Sequence, residues 1–597
     1  MKVKRNHLFF GFGSFGVFLS SGFTFRSLFS KNESKQELDD KYICLNQAYY
    51  EIPEPENLYG RKHLQSIPAH LSLLKLAKSR DTHIANYAIA KLANSQHLSD
   101  GQCREIAQMC DFDLTIKLSR TESVDPRIFL PPICTHLRML NSSDSKSKSS
   151  RDLVFELLKK LHDSIQNANE CTKYFASFAL KANQISIAFE SEMQHMDLVP
   201  EHIRKKNFMS EEKIDWFCLE ALMGYSSSGQ KACEMLINGG IFLILHTFRE
   251  SYPNDSVMNE KVAKFLAKLS EYPESHKHFV ATGWIGVLAK WLNDSENIEL
   301  SFPAAKCLYN LDKDTQHVFT ESVYLLNPFY RLKSTDWDII FVHGLLGGIF
   351  RTWRQSDSSK NLDNYTRCWP QTWLAADIPS LRVLAIDYPT YLTGWKVECP
   401  TEKLSLKDRS NSILESLIAA GVGKRPIIWV GHSMGGLIIK EMLVSCDKSN
   451  SQALKDVIAN TKGTVFYSCP NRGSDLAVWP SKFPNVVLPS TEVMELMTDS
   501  PALMKLHEEF LNTVRQRDVK CLSFGESFKS RLGLKKVKFS AFMVSEKSAN
   551  PGYGEFHLLP MDHHSTCKPA NKQSDAYRLT YDFILNLMYN NNFNYSQ

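Results

Sequence analysis

The stretch Gly431-His432-Ser433-Met434-Gly435-Gly436 constrains the fold of this chain more than any other. Ahead of it, Pro426-Ile427-Ile428-Trp429-Val430 is a short apolar run rich in β-formers. After it, from Met434 to about Cys446, Leu437, Ile438, Met442 and Leu443 share one helical face. A strand that becomes a helix within Gly-x-Ser-x-Gly passes through strained dihedrals at the serine, and glycines must flank it where backbone crowds backbone. Such a turn lifts a hydroxyl clear of a sheet and aims the next N–H at a developing oxyanion. The pattern predicts an elbow bounded by Gly431 and Gly435, with Ser433 as a nucleophile.

The texture on both sides agrees. From Trp337 onward, strand candidates Asp338–Val342, Arg382–Asp387, Pro426–Val430, Thr464–Ser468 and Lys538–Val544 alternate with helical segments. That alternation is the pattern of a mostly parallel, doubly wound sheet, and a serine elbow within it points to the α/β-hydrolase fold. A serine hydroxyl is unreactive alone; it needs a histidine base, an acid to orient the base, and oxyanion donors. In this fold the chain order is serine, acid, histidine. Met561-Asp562-His563-His564 lies after the last strand candidate, where the base belongs. The acid is expected just after the Lys538–Val544 strand, at Glu546, with Glu555 and Asp562 as alternatives. The first strand candidate runs into His343-Gly344-Leu345-Leu346-Gly347-Gly348, a turn whose glycines let backbone approach substrate. The expected oxyanion donors are therefore the N–H groups of Leu345 and Met434, with His343 and Gly344 shaping the loop. Trp353, Trp369, Trp373 and Trp395 read as core or pocket walls.

At 597 residues the chain exceeds one ordinary core, so several domains are expected. Its formal net charge of +5 gives no warrant for nucleic-acid binding and is permissive of an anionic membrane surface. The 14 cysteines show no Cys-x-x-Cys pair and no regular spacing, which argues against a disulfide framework or a zinc site and for buried thiols in a reducing compartment. No dinucleotide or phosphate loop and no metal-spaced cluster is present, so neither cofactor nor metal is expected. Residues 1–32 hold no acid; Lys2, Lys4 and Arg5 precede an apolar stretch from Leu8 to Phe25 that is diluted by glycines and serines. This is the expected targeting segment or single membrane anchor, followed by a linker over 33–59.

Residues 60–325 read as helical, broken by a polar loop at Asn141–Arg151. Leu236-Ile237-Asn238-Gly239-Gly240-Ile241 matches Val280-Ala281-Thr282-Gly283-Trp284-Ile285 at an offset of 44 residues. A period near 40–47 with glycine between helices suggests armadillo or HEAT stacking. The expected architecture is thus an N-terminal apolar anchor, an all-α armadillo/HEAT-like region, and an α/β-hydrolase domain over 330–592.

The motifs of that last region resemble the serine active site-containing protein 1 family. They are Val342-His343-Gly344-Leu345, Phe350-Arg351-Thr352-Trp353-Arg354-Gln355-Ser356-Asp357, Cys368-Trp369-Pro370-Gln371-Thr372-Trp373-Leu374, Ala420-Gly421-Val422-Gly423, the elbow itself and Cys567-Lys568-Pro569. The resemblance implies a membrane-associated protein of mitochondria and endoplasmic reticulum that remodels phosphatidylglycerol and takes part in cholesterol handling. It also implies a histidine four residues before Cys567, which is His563. Where the family glutamate directly precedes a Ser-Ala pair, this chain has Lys547, with Glu546 one residue earlier. Two functions follow as expectations. One is a serine hydrolase or acyltransferase on a lipid ester at a membrane. The other is a non-catalytic scaffold at a mitochondrial or endoplasmic-reticulum assembly, with a protein partner on the helical repeats.

Overall fold

The computed structural model describes residues 68–95, 97–129, 150–193, 210–294, 297–330, 334–357, 365–390, 405–474, 500–532 and 539–594. The described residues all belong to one compact unit, Ile67–Gln597. The expected anchor and linker, the polar break at 141–149 and Trp395 lie outside the described residues. No helix among the described residues is long and apolar enough to cross a membrane.

Helices with one shared apolar core, from Leu74 to Leu311, occupy the first half of the compact unit. Their repeat is a three-helix unit. Glu211–Ser226, Gln230–Asn238 and Ile241–Ser251 are followed by Ser256–Leu269, His276–Ala281 and Trp284–Leu292. Three helices per unit is the armadillo count, whereas HEAT units have two. Gly240 and Gly283 each sit in the left-handed region at the start of a unit's third helix, with φ 79° in both. Their equivalence aligns Gly240 with Gly283, one residue away from the match made on sequence alone. The units interlock through Trp284, whose ring stacks on His246 at 3.8 Å while its Nε1 donates to the Phe242 carbonyl at 3.1 Å.

The helix Ile298–Leu311 joins the two halves because its faces are claimed by different cores. Leu300, Ala304 and Leu308 pack into the helical core, whereas Ile298 and Phe302 pack against the sheet. Its Lys306 is buried and donates to the carbonyls of Thr320 and Glu321, and Asn310 exchanges two hydrogen bonds with the Phe319 backbone. The helical and sheet regions expected as separate domains therefore continue into each other.

The sheet has seven strands: β1 Val323–Asn327, β2 Trp337–Val342, β3 Leu381–Ile386, β4 Ile427–His432, β5 Thr461–Tyr467, β6 Lys520–Glu526 and β9 Glu555–Leu559. Their order is β1-β3-β2-β4-β5-β6-β9, with β1 antiparallel and every other pairing parallel. Apolar layers cover both faces, which is why the central strands are buried along their whole length. A separate two-stranded hairpin, β7 Ser530–Leu532 and β8 Phe539–Ala541, follows β6. The expected strand Lys538–Val544 thus contributes only this short β8, outside the main sheet. From β2 the chain moves to β3 on one side and then crosses to β4 on the other. This reversal opens a crevice at the carboxyl ends of β2 and β4, the place where such sheets bind ligands.

Ten described cysteines are buried and free, while Cys171 is disulfide-bonded, an exception to the expectation of thiols throughout.

Candidate active site

The elbow stands at that crevice. β4 ends at His432, the helix Met434–Lys448 begins two residues later, and Ser433 between them has φ 54° and ψ −125°. A non-glycine residue holds such dihedrals only when its surroundings over-determine them. Here the Ser433 N–H is tied to the Tyr467 carbonyl at 2.9 Å, and the helix start packs directly onto β2. A Cβ on Gly435 would fall 2.2 Å from the Val342 carbonyl oxygen and 2.5 Å from that of His343. Glycine at 435 is thus a requirement of close backbone approach. Gly431 faces the same crowding against the backbone of Gly436 at 2.8 Å.

His563 reaches the serine. Its Nε2 lies 3.0 Å from Ser433 Oγ, and its Nδ1 lies 2.7 Å from Oε2 of Glu526, the last residue of β6. All three side chains are buried. The second Glu526 oxygen, Oε1, accepts the N–H groups of Met543 at 2.6 Å and Val544 at 3.2 Å. The carboxylate is thereby held on both oxygens, as an acid that orients an imidazole must be. Glu546, the expected acid, sits instead in the first turn of a short helix, Glu546–Ala549, exposed to solvent. Glu555 starts β9 and pairs with His557 at 3.6 Å, and Asp562 accepts the Ser565 N–H at 3.0 Å. Neither meets His563. The difference has a local cause: β6, the strand whose Glu526 meets His563, reads Lys-Cys-Leu-Ser-Phe-Gly-Glu and is less apolar than the segment after it. Its signal was the alternation of buried Leu522 and Phe524 ending on an acid.

The loop after β2 faces the same serine. A Cβ on Gly344 would lie 2.7 Å from Ser433 Cβ and 2.8 Å from the His432 carbonyl oxygen, so loop and elbow are in close backbone contact. The N–H groups of Leu345 and Met434 have no hydrogen-bond acceptor among the described residues. They are thus free to donate to an oxyanion formed at Ser433. His343 does not approach the serine hydroxyl. It is buried, stacks on Tyr388 at 4.2 Å, and bonds the Gly344 carbonyl through Nδ1 at 2.9 Å. The Tyr388 N–H donates to its Nε2 at 3.3 Å, so the ring fastens the loop.

Two further sets of contacts hold His563. His432, the residue before the serine, donates Nε2–H to the His563 carbonyl at 2.9 Å. Burial and then the neighbouring His563 press the His432 pKa well below the usual imidazole range, so it stays neutral. Behind His563, the family-like motifs converge. Trp369 Nε1 donates to the Cys567 carbonyl at 3.1 Å, the Ser356 N–H to the Pro569 carbonyl at 3.1 Å, and Gln355 Nε2 to the Ala570 carbonyl at 2.6 Å. Trp353 and Trp369 pack edge-on against Phe341 of β2. They are core residues that brace the histidine loop, while Trp373 meets Tyr577 edge-on.

Sequence reasoning gave no role to a polar cluster behind the elbow helix. Lys440 is fully buried there, donates to Asn471 Oδ1 and lies 3.2 Å from His507 Nδ1. Burial lowers the Lys440 pKa and, with the Lys440 charge next, presses His507 down to about 3. Asn471 in turn donates Nδ2 to the Ala549 carbonyl at 3.0 Å and its N–H to that of Ser548 at 3.1 Å. Ser474 Oγ bonds the Met543 carbonyl at 2.5 Å. The loop after β5 is thereby stitched to residues 543–549, the same segment whose N–H groups hold Glu526. Among the described residues no cluster of His, Cys, Asp or Glu is placed to hold a metal.

Residues 59–132 match the SERAC1 N-terminal domain model, and residues 339–530 match the alpha/beta hydrolase family. Protein SERAC1 of Danio rerio is 33% identical over 588 residues, covering 95% of this chain and 85% of the relative. Protein SERAC1 of Homo sapiens is 33% identical over 531 residues, covering 86% and 78%. Among solved structures, the Bacillus licheniformis lipase BlEst2 is similar at 16% identity and a TM-score of 0.29, covering 44% of this chain and 97% of the lipase. Phospholipase PlaB of Legionella pneumophila is similar at 13% identity and a TM-score of 0.24, covering 42% and 62%.

Proposed function

The chain belongs to the SERAC1 family, and from that premise we propose that it is a serine hydrolase or acyltransferase acting on a lipid ester at a membrane. The observation that carries the reading is the continuous relay from Glu526 through His563 to Ser433, beside which the N–H groups of Leu345 and Met434 have no acceptor among the described residues. In this mechanism His563 Nε2 takes the Ser433 proton as Oγ attacks the ester carbonyl. Glu526 accepts the Nδ1–H bond and stabilises the imidazolium that results. The N–H groups of Leu345 and Met434 receive the charge on the tetrahedral oxygen. His563 then gives its proton to the leaving alcohol, and an acyl-Ser433 ester remains. Water yields a free acid; the hydroxyl of a second lipid yields a transferred acyl chain. By resemblance the ester is phosphatidylglycerol, the wider process includes cholesterol handling, and the site of action is a mitochondrial or endoplasmic-reticulum membrane.

The test is fluorophosphonate labelling of the full chain beside Ser433→Ala and His563→Ala, followed by turnover of phosphatidylglycerol vesicles. Labelling of the unsubstituted chain alone supports the relay, and release or transfer of acyl chains supports the lipid. Absence of labelling in folded protein removes the enzyme reading. The scaffold reading would then stand, favoured by stacked three-helix units that continue directly into the sheet and offer an extended surface to a protein partner.

A further inference from the structure

The hairpin that follows the acid strand carries a surface that the proposed chemistry does not use. Over Ser527–Ser545 the sequence holds five Lys or Arg and no Asp or Glu, equal to the formal net charge of +5 of the entire chain. Along the segment these basic residues are interspersed with apolar ones, Phe528, Leu532, Leu534, Val537, Phe539 and Phe542. In the structure two of the segment's phenylalanines face solvent. Phe528 is 57% exposed and Phe542 40%, the only phenylalanines among the described residues exposed this far. Leu558, on the edge strand β9, adds a third apolar group at 44%. Lys529 lies over the Phe542 ring at 5.8 Å, so charge and apolar surface are interleaved. Its nearest acids in the sequence are Glu526 just before it and Glu546 just after it.

The position of the hairpin matters as much as its composition. Ser530 of β7 accepts the His563 N–H at 3.2 Å, and the segment leaving β8 supplies the Met543 and Val544 N–H groups to Glu526. The surface therefore adjoins the segments that hold His563 and Glu526. Aromatic side chains settle at the boundary between head groups and acyl chains, and interleaved cations draw them to negatively charged leaflets. We propose that the β7–β8 hairpin, through Phe528, Lys529 and Phe542, docks the protein on a bilayer bearing anionic head groups and so sets the mouth of the site against the lipid surface. This goes beyond the proposed function, because docking is independent of whether Ser433 turns over a lipid.

Hydrogen exchange of the full chain, resolved to peptides covering 527–532 and 539–545, tests this without interference from any other membrane-binding segment. The probes are vesicles of phosphatidylcholine alone and of phosphatidylcholine with phosphatidylserine. The expected result is slowed exchange in both peptides on the mixed vesicles, absent on phosphatidylcholine alone and lost at ~1 M salt, where screening is nearly complete. Protection is also expected to disappear in the double variant Phe528→Ser with Phe542→Ser, whose exposed positions leave the core intact, and to persist in Ser433→Ala. Unchanged exchange on mixed vesicles overturns the proposal, as does equal protection on neutral vesicles or protection that survives in the double variant. Persistence of this protection together with absent turnover in the unsubstituted chain would sink only the enzymatic reading.

Discussion

The elbow and the acid arm meet at one histidine, yet they are built in opposite ways. The elbow is local: six consecutive residues carry its strand end, serine and helix start, and two glycines answer to backbone atoms 2.2–2.8 Å from where a Cβ would lie. The acid arm is assembled from afar. Glu526 ends one strand, its N–H donors lie 17 and 18 residues onward, and those donors are braced by Asn471, which belongs to the loop after β5. A serine at φ 54° is held by distant backbone, the Tyr467 carbonyl and the end of β2, but that close approach requires glycines beside it, so the restraint shows in the adjacent sequence. A carboxylate needs only the right position and donors, and many segments can bring those. The contrast teaches that steric demands leave marks in sequence that placement demands do not.

The comparison can be broken most severely at the elbow. Gly435→Ala should cost about 4 kcal/mol or more, since the new methyl meets backbone that cannot yield, and thermal melting should show little folded protein. Ser433→Ala should leave the melting temperature near that of the parent while ester turnover falls by about six orders of magnitude, to the level left by binding and oxyanion donors. On the acid arm, Glu526→Gln should lower kcat by about four orders of magnitude with little change in KM, because the imidazole loses its orienting charge. A milder effect belongs to Asn471→Ala, which leaves Glu526 in place but loosens its brace. It should cost about 1–3 kcal/mol of stability and lower kcat roughly tenfold, and addition of Glu526→Gln should then cost far less than additively. The smallest change should come from Glu546→Gln, with kcat within about twofold of the parent at an exposed position that does not meet His563. A large loss there would return the acid to the short helix.

The two regions also differ in how far they could be read. Leu345 and Met434 could be singled out in the sequence as candidate oxyanion donors because each follows a constrained glycine or serine position. His563 was legible because chain order and the Cys567-Lys568-Pro569 motif both point to it. Three of the family-like motifs, Phe350–Asp357, Cys368–Leu374 and Cys567–Pro569, form a single brace, with Trp369 and Gln355 bonded to the segment behind His563. Strand β6 was missed because its lysine, serine, glycine and glutamate dilute the apolar pattern, and the hairpin after it is the more β-like on composition. The helical repeat was found but offset by one residue, since hydrophobic matches tolerate a slip that the left-handed glycines Gly240 and Gly283 do not.

By itself the sequence determined the serine elbow, the glycine-lined loop ahead of it, the alternation of strands and helices, and the helical character of the first half. Each rests on short-range physics: steric exclusion at a turn, or the period with which apolar residues recur along one element. Only the tertiary structure decided which carboxylate meets His563, which faces of Ile298–Leu311 join the two halves, and that an interleaved basic and aromatic hairpin stands beside the site. Those are matters of which distant segments come to lie side by side, and a long-range contact that demands no glycine leaves no periodic or steric trace in either of its partners.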